Sequence, residues 1–209
     1  MRIRRITLHH ISLRLRSPFV TSYGAHTDRE TIVVEAEDEN GVTGWGECVA
    51  FAEPSYTEET VVTAWHMMER FLIPSLFGAD IGHPRETALL FAKVKRNQMA
   101  KAGLETAVWD LHARLHGMPL ARAIGGTRTE IESGVAVGLQ PSSGQLHAAI
   151  ERFLNDGYKR AKVKIKPGHD VALIRGIRER FPDLALMADA NSAYTLEDAA
   201  HLAQLDRYG

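Results

Sequence analysis

"YKRAKVKIKPGHDVALIRGIRERFPDLALMADAN" occupies residues 158–191 and decides the fold. "YKRAKVKIK" is a strand, "DVALIRGIRERFP" a helix, and "LALMADAN" a strand again. Strands and helices alternating at these lengths form βαβ units with parallel strands. Inside the first strand, Lys162, Lys164 and Lys166 recur at every second position. Alternate side chains of a strand share a face. Three ammonium groups therefore lie on one side, and Val163 and Ile165 on the other.

Same-face neighbours on a strand are about 6.6 Å apart. Two unit charges at that distance repel by roughly 2.5 kcal/mol at an effective dielectric of about 20. Stability alone does not put Lys162 and Lys164 together inside a fold. The plain alternative is a solvated face with snorkelling lysines. Two features oppose it. The strand lies between two helices, which predicts cover on both faces. The following strand carries apolar Leu184, Leu186 and Met187 and then ends in Asp189 and Asn191. Functional groups gather at the C-terminal ends of strands in β/α barrels and open α/β sheets. By itself Asp189 serves equally well as a helix cap or in an Asx-turn. Beside the lysine strand it forms a candidate site: amines facing a carboxylate able to hold a metal ion. A neutral amine is a base, and a neighbouring cation lowers its proton affinity toward working pH. A divalent cation held by carboxylates neutralises an oxyanion. The set suits proton removal from carbon next to a carboxylate, through a dianionic enediolate.

Outward from this stretch the pattern continues. "IESGVAVGL" is a strand, "SGQLHAAIERFLNDG" a helix, and "TLEDAAHLAQLDRYG" a final helix. Residues 129–209 thus hold three βα units. A complete β/α barrel takes about 250 residues and eight strands. If these units belong to a barrel, the barrel is incomplete in this chain, which reads as a piece of a longer protein.

Residues 1–128 form an α+β region. "MRIRRITLHHISLRLRSPF" has five arginines and no acid, the composition of a transit peptide. Its alternation favours a strand: Ile6 and Leu8, then Ile11, Leu13 and Leu15 in the other phase, with a bulge or break at His9-His10. "RSPFVTSYGAHTDRE" reads as a polar loop whose Phe19 and Tyr23 anchor a core or contact a ligand. "TIVVEAEDENGVTGWGE" is a hairpin with a tight two-residue turn at Asn40-Gly41. Ser55 and Glu58 match a capping box. Val61, Val62, Trp65, Met68, Phe71 and Leu72 then follow a helical stripe, ended by Pro74 and Gly78. A second helix is expected over 84–97. A third covers about 101–116, with Leu104, Val108, Leu111 and Leu115 on one face and Gly117 as its stop. "AIGGTR" is a linker. The predicted architecture is an α+β region over 1–128, with a three-stranded antiparallel sheet, followed by three βα units over 129–209.

A formal net charge of -1 gives no electrostatic case for nucleic acid or a membrane surface as partner. No apolar run approaches the roughly 18 residues of a membrane helix. Cys48 is the one cysteine, which excludes an intrachain disulfide and suits a reducing cytoplasm. His112 and His116 have i,i+4 spacing, but neither HExxH nor a third ligand accompanies them. Gly41, Gly44 and Gly46 belong to the hairpin, not to a G-x-G-x-x-G loop.

"KVK" followed by "DAN" resembles the enolase superfamily, muconate-lactonizing subgroup. "GYKRAKVKIKPGHDV", "ADANSAYTLEDAAHLAQLD", "EPSYTEET" and "MAKAGLETAVWDLHARLHGMPLARAIGG" are most similar to the o-succinylbenzoate synthase / N-acylamino acid racemase family. The similarity runs along the whole chain and implies an α+β capping domain over 1–128 followed by the first three βα units of a TIM-type barrel over 129–209. The resemblance implies Lys164 as the acid/base catalyst on one face of the substrate. It implies that Lys162 keeps Lys164 poised and faces the enediolate. Asp189 becomes the first ligand of Mg²⁺ (or Mn²⁺), and Asn191 contacts substrate or backs the metal. The loop with Phe19 and Tyr23 closes over the substrate. Ala136 stands where relatives often carry a hydroxyl that contacts substrate. Lys166 has no implied role. The further metal carboxylates and the opposite-face lysine belong to later strands. A strand ending in Glu is expected about one βα unit beyond Asp189.

The implied activity is Mg²⁺-dependent dehydration to o-succinylbenzoate on the route to menaquinone, with N-acylamino acid racemisation in the same site. Dipeptide epimerase and muconate cycloisomerase are sibling alternatives. A reading of another class is an inert fragment or non-catalytic docking module, and the 209-residue chain alone is expected to be inactive. The implied partner is a small carboxylate substrate, and the whole protein is expected to be a cytoplasmic homo-oligomer.

Overall fold

The computed structural model describes residues 1–21 and 24–209. It divides into two compact units, Met1–Arg16 with Thr27–Arg128, and Ser17–His26 with Thr129–Gly209.

The first unit is built on a sheet of strands β1 (Ile3–Thr21), β2 (Gly24–Asp38) and β3 (Thr43–Cys48), in the order β1-β2-β3. β1 runs unbroken through His9-His10. Most of the expected polar loop is strand, divided between the end of β1 and the start of β2. Ladder hydrogen bonds satisfy the backbone whatever the side chains, so a strand with little buried surface shows no apolar alternation. Cross-strand pairs supply the local fit. The imidazoles of His9 and His10 reach the carboxylates of Glu35 at 3.0 Å and Glu30 at 2.8 Å.

β2 and β3 pair antiparallel. Their turn is a three-residue one, not the expected two-residue form. Only Gly41 takes a positive φ, 82°. Its N–H donates to the Asp38 carbonyl at 3.1 Å, and the Asp38 carboxylate accepts from the amides of Asn40 and Val42, each at 2.9 Å. A type I turn closed by a left-handed glycine has this form. Burial raises the Asp38 pKa, but these amide hydrogen bonds outweigh it and hold the carboxyl below its usual range.

The first helix, α1 (Val61–Met67), begins later than the Ser55/Glu58 box suggested. Its box is Thr60/Thr63: the Thr60 hydroxyl accepts from the Thr63 amide at 3.2 Å, and the Thr63 hydroxyl from the Thr60 amide at 2.9 Å. A π-helical turn over Met68–Leu72 joins it to α2 (Ile73–Leu76). Pro74 falls in the first turn of α2, where a missing N–H is tolerated, so the chain stays helical across it. Val61, Met68, Leu72 and Leu76 are buried, whereas Val62 and Phe71 face solvent.

The expected helix over 84–97 is much shorter. One 3₁₀ turn (Pro84–Glu86) leads into α3 (Thr87–Leu90). The chain then reverses through left-handed Arg96 and Asn97 into α4 (Gln98–Leu115). The Asn97 side chain does not cap α4. The buried carboxylate of Glu59 does, accepting from Met99 N at 2.9 Å and Ala100 N at 3.0 Å. A carboxylate here also meets the positive end of the helix. Glu59→Ala is expected to destabilise the protein by about 2–4 kcal/mol, since it orphans two amides and removes charge-assisted bonds. Urea unfolding measures this, and Glu59→Gln should lose roughly half as much. Gly117, with φ 62°, ends the helix, and a short α5 (Leu120–Ala123) follows.

β3 and α4 touch backbone to backbone. Gly44 and Gly46 of the strand lie on Ala107 and Gly103 of the helix. This close layer buries Cys48, Leu104, Val108 and Leu111 in one core with Ile32 and Val34.

The second unit has a parallel sheet of β4 (Gly134–Val137), β5 (Arg160–Lys164) and β6 (Ala185–Asp189), in the order β4-β5-β6. α6 (Ser143–Asn155) and α7 (Val171–Arg180) pack with Leu146, Ile150, Ile174 and Ile177 on Val137, Ala161, Val163 and Ile165. Both crossovers therefore place their helices on one side, as two turns of the same hand do. The expectation that helices cover both faces of β5 is thus corrected. The opposite face presents Ala136, Lys162 and Met187 in register and borders a cavity of about 670 Å³. The expected last helix is split into a 3₁₀ turn (Leu196–Asp198), α8 (Ala199–Leu202) and a second 3₁₀ stretch (Ala203–Tyr208). Among the described residues no helix is long and apolar enough to cross a membrane.

Candidate active site

Parallel register places Lys164 directly beside Asp189 and Lys162 beside Met187. The two lysines thus share a face with the aspartate. Lys164 Nζ donates to Asp189 Oδ2 at 2.9 Å and to Asn191 Oδ1 at 2.6 Å. Lys162 Nζ lies 3.1 Å from the same Oδ2. The Asn191 N–H donates to the other carboxylate oxygen at 3.0 Å. The two cations are held together by one shared anion, which offsets the repulsion calculated from their spacing.

The site is graded in exposure. Lys164 is 6% exposed, while the Lys162 side chain is 39% exposed. The Lys164 hydrogen bond, followed by the Asn191 amide, holds the Asp189 carboxyl down at about 2, against opposition from burial; the Lys162 ammonium adds to the effect. Asp189 therefore stays anionic through the neutral range.

Asn191 and Ser192 both adopt left-handed backbone, φ 47° and 59°. Asparagine tolerates that region. The conformation turns its amide group back toward Lys164. Phe19 is exposed at the edge of the site, its ring centroid 5.8 Å from Lys164 Nζ, within cation–π reach. Ala136 lies beside Lys162 in register, one layer away from the Lys164–Asp189 pair, and its methyl leaves the cavity wall without a hydroxyl there. Tyr23 lies outside the described residues. Lys166 points to solvent beyond the strand, where its backbone bridges to His169. Sequence reasoning passed over the buried Asp170, at the start of α7, which receives hydrogen bonds from Tyr194 and His201. An acid before an apolar helical run signals a cap; its distant partners have no local signature.

Three His, Cys, Asp or Glu side chains placed to hold a metal ion are not found among the described residues. His83, His112 and His116 instead lie in a row of mutually tilted rings, with centroid separations of 5.4 Å and 4.1 Å. Among the described residues Asp189 alone offers a carboxylate at the strand ends; its Oδ2 faces both lysines, and its Oδ1 accepts from the Asn191 N–H and keeps a free lone pair. Mg²⁺ prefers about six oxygens in octahedral array. The residues here do not make a magnesium site by themselves. Mg²⁺ titrated into the 209-residue chain is expected to bind more weakly than about 1 mM, measured by calorimetry or by the Asp189 and Asn191 NMR signals.

Residues 3–125 match the mandelate racemase / muconate lactonizing enzyme N-terminal domain, and residues 145–208 match the enolase C-terminal domain-like family. The chain belongs to the mandelate racemase / muconate lactonizing enzyme family. Among relatives of this family member, the o-succinylbenzoate synthase of Geobacillus kaustophilus is 54% identical over 99% of the chain and 55% of the relative. The N-succinylamino acid racemase of Thermus thermophilus is 41% identical over 99% of the chain and 56% of the relative. A crystal structure of an enolase-superfamily member from Listeria innocua superposes with a TM-score of 0.95 at 40% identity, covering all of this chain and 56% of that one. The chain spans about half the length of the curated relatives it matches. The family member has the enolase-superfamily fold, with an N-terminal α+β domain and a parallel βα sheet.

Proposed function

We propose that the protein is an o-succinylbenzoate synthase in which this chain supplies the acid–base face of the site. The carrying observation is Lys164: a nearly buried amine between the Asp189 carboxylate and the Asn191 carbonyl oxygen. In its amine form Lys164 takes the proton from the carbon next to the substrate carboxylate. As an ammonium it then delivers that proton to the departing hydroxyl on the same face. Water leaves, and a carbon–carbon double bond forms in its place. Lys162 presents a second positive charge to the enediolate from the open side of the sheet. Asn191 orients Lys164, and Phe19 shields it from water. The small carboxylate substrate enters from the face that carries Ala136.

A divalent cation, Mg²⁺ or Mn²⁺, supplies charge neutralisation for the enediolate in enzymes of this type. Asp189 would contribute one oxygen to it, and this chain alone does not complete the shell. A second reading is N-succinylamino acid racemisation, with Lys164 as the base on one face of the carbon and a second base, outside this chain, delivering a proton to the other; the names of relatives at 41% and 42% identity favour it. A cytoplasmic setting accords with a single, buried, free cysteine.

The test is turnover by the full protein. Incubated with the hydroxylated cyclohexadiene precursor and Mg²⁺, it should form the aromatic product, followed by ultraviolet absorbance. Absence of conversion together with racemisation of an N-succinylamino acid would leave the second reading. Absence of both would leave the sibling dipeptide epimerase and muconate cycloisomerase readings, and turnover of none of these substrates would favour a docking module.

A further inference from the structure

We propose that Tyr194 and His201 are positioning residues: they moor the turn after β6 to the buried carboxylate of Asp170 after β5, and so hold Asn191 against Lys164. The inference rests on the reading of Lys164 as the acid–base group. Tyr194 Oη donates to Asp170 Oδ2 at 2.7 Å, and His201 Nε2 donates to the same oxygen at 2.9 Å. Asp170 Oδ1 accepts the N–H that opens α7. Three segments therefore converge on one buried acid: the entry to α7, the turn after β6, and α8.

The turn needs such a tether. Asn191 and Ser192 are consecutive non-glycine residues in the left-handed region, a conformation that persists only where its surroundings enforce it. On the strand side, the Asn191 N–H is fixed to Asp189 Oδ1 and the Ala193 N–H donates to Ala190 O at 3.1 Å. On the far side, Tyr194 is the anchor. Burial, and then its hydrogen bond to the Asp170 carboxylate, raise the Tyr194 hydroxyl pKa well above its ordinary value, so it remains a donor. The same two strand ends that carry Lys164 and Asn191 are thus tied together behind the site. Without the tie the turn relaxes, and Lys164 loses its 2.6 Å acceptor.

The test uses Tyr194→Phe, which removes one oxygen and keeps the ring. In ¹⁵N-labelled protein, the Asn191 and Ser192 amides should exchange at least about tenfold faster, while Val163 of β5 and Ile177 of α7 stay within about twofold. In the full protein, kcat should fall about tenfold with KM within about twofold, the signature of a misplaced acid–base group. His201→Gln, which retains a donor, should keep exchange near wild type, whereas His201→Ala should raise it. Unchanged Asn191 exchange in Tyr194→Phe overturns the proposal. So does an increase that Val163 and Ile177 share, which would be general loosening. If Tyr194→Phe does not fold, the Gln and Ala pair at His201 decides, and equal exchange in the two overturns the tether. If the wild type shows no turnover, the function assigned above fails, and the exchange pattern alone still decides the mooring.

Discussion

Lys164→Ala in the full protein lowers turnover by about 10²–10⁴, the usual contribution of a positioned acid–base group. The fold survives the change. Asp189 keeps Lys162 at 3.1 Å and the Asn191 N–H at 3.0 Å, so no buried charge is stranded. Asn191 loses its ammonium partner but lies at a partly open strand end. Lys164→Arg should be nearly as inactive, because a guanidinium retains its proton under all working conditions. Initial rates at saturating substrate provide the measure, with matched circular dichroism spectra as the control. Turnover within tenfold of wild type would remove Lys164 from the chemistry and, with it, the dehydration and racemisation readings alike.

Gly46→Ala is expected to cost at least about 3 kcal/mol, at the upper end of overpacking effects. A methyl at Gly46 would lie 2.2 Å from the Gly103 carbonyl oxygen and 2.6 Å from the Ala107 amide nitrogen. Both obstacles are backbone of α4, and neither can swing aside. The strand and helix would have to separate, opening the core around Cys48 and Leu104. For a chain of this size the melting temperature should drop by roughly 6–12 °C. Gly144→Ala is the matching control. Its added methyl meets nothing within 4 Å, its φ is ordinary, and it lies in the first turn of α6. It should be neutral or stabilise by up to about 1 kcal/mol. Equal melting temperatures for the two variants would contradict the contact between β3 and α4.

The βαβ rhythm was legible because it is local. Alternation in "AKVKIK" puts Lys162 and Lys164 on one face of their strand, and alternation in "LALMAD" puts Met187 and Asp189 on one face of theirs; the register of β5 and β6 makes these the same side of the sheet. The start of α1 was misread because Ser55 and Glu58 match the usual capping-box residues, whereas the box that forms, Thr60/Thr63, lacks the usual Glu or Gln; burial of Val61 and Ala64 accompanies the later start. Within the stretch 16–30 that looked like a loop, Arg16, Pro18, Phe19, Ala25, Thr27 and Asp28 are exposed, which erases the period-two signal while the described backbone is still strand. Cover on both faces of β5 was expected from two flanking helices; the shared hand of the crossovers put both on one side.

Side-chain order along each strand, and hence which groups could meet, followed from the sequence alone, since a strand's two-residue period is set by backbone geometry. How deeply Lys164 is buried, that both ammoniums converge on one carboxylate oxygen, and that Tyr194 reaches Asp170 behind them were decided only in the tertiary structure. Those facts depend on strand register and on turns between residues dozens of positions apart, where no local pattern carries the information.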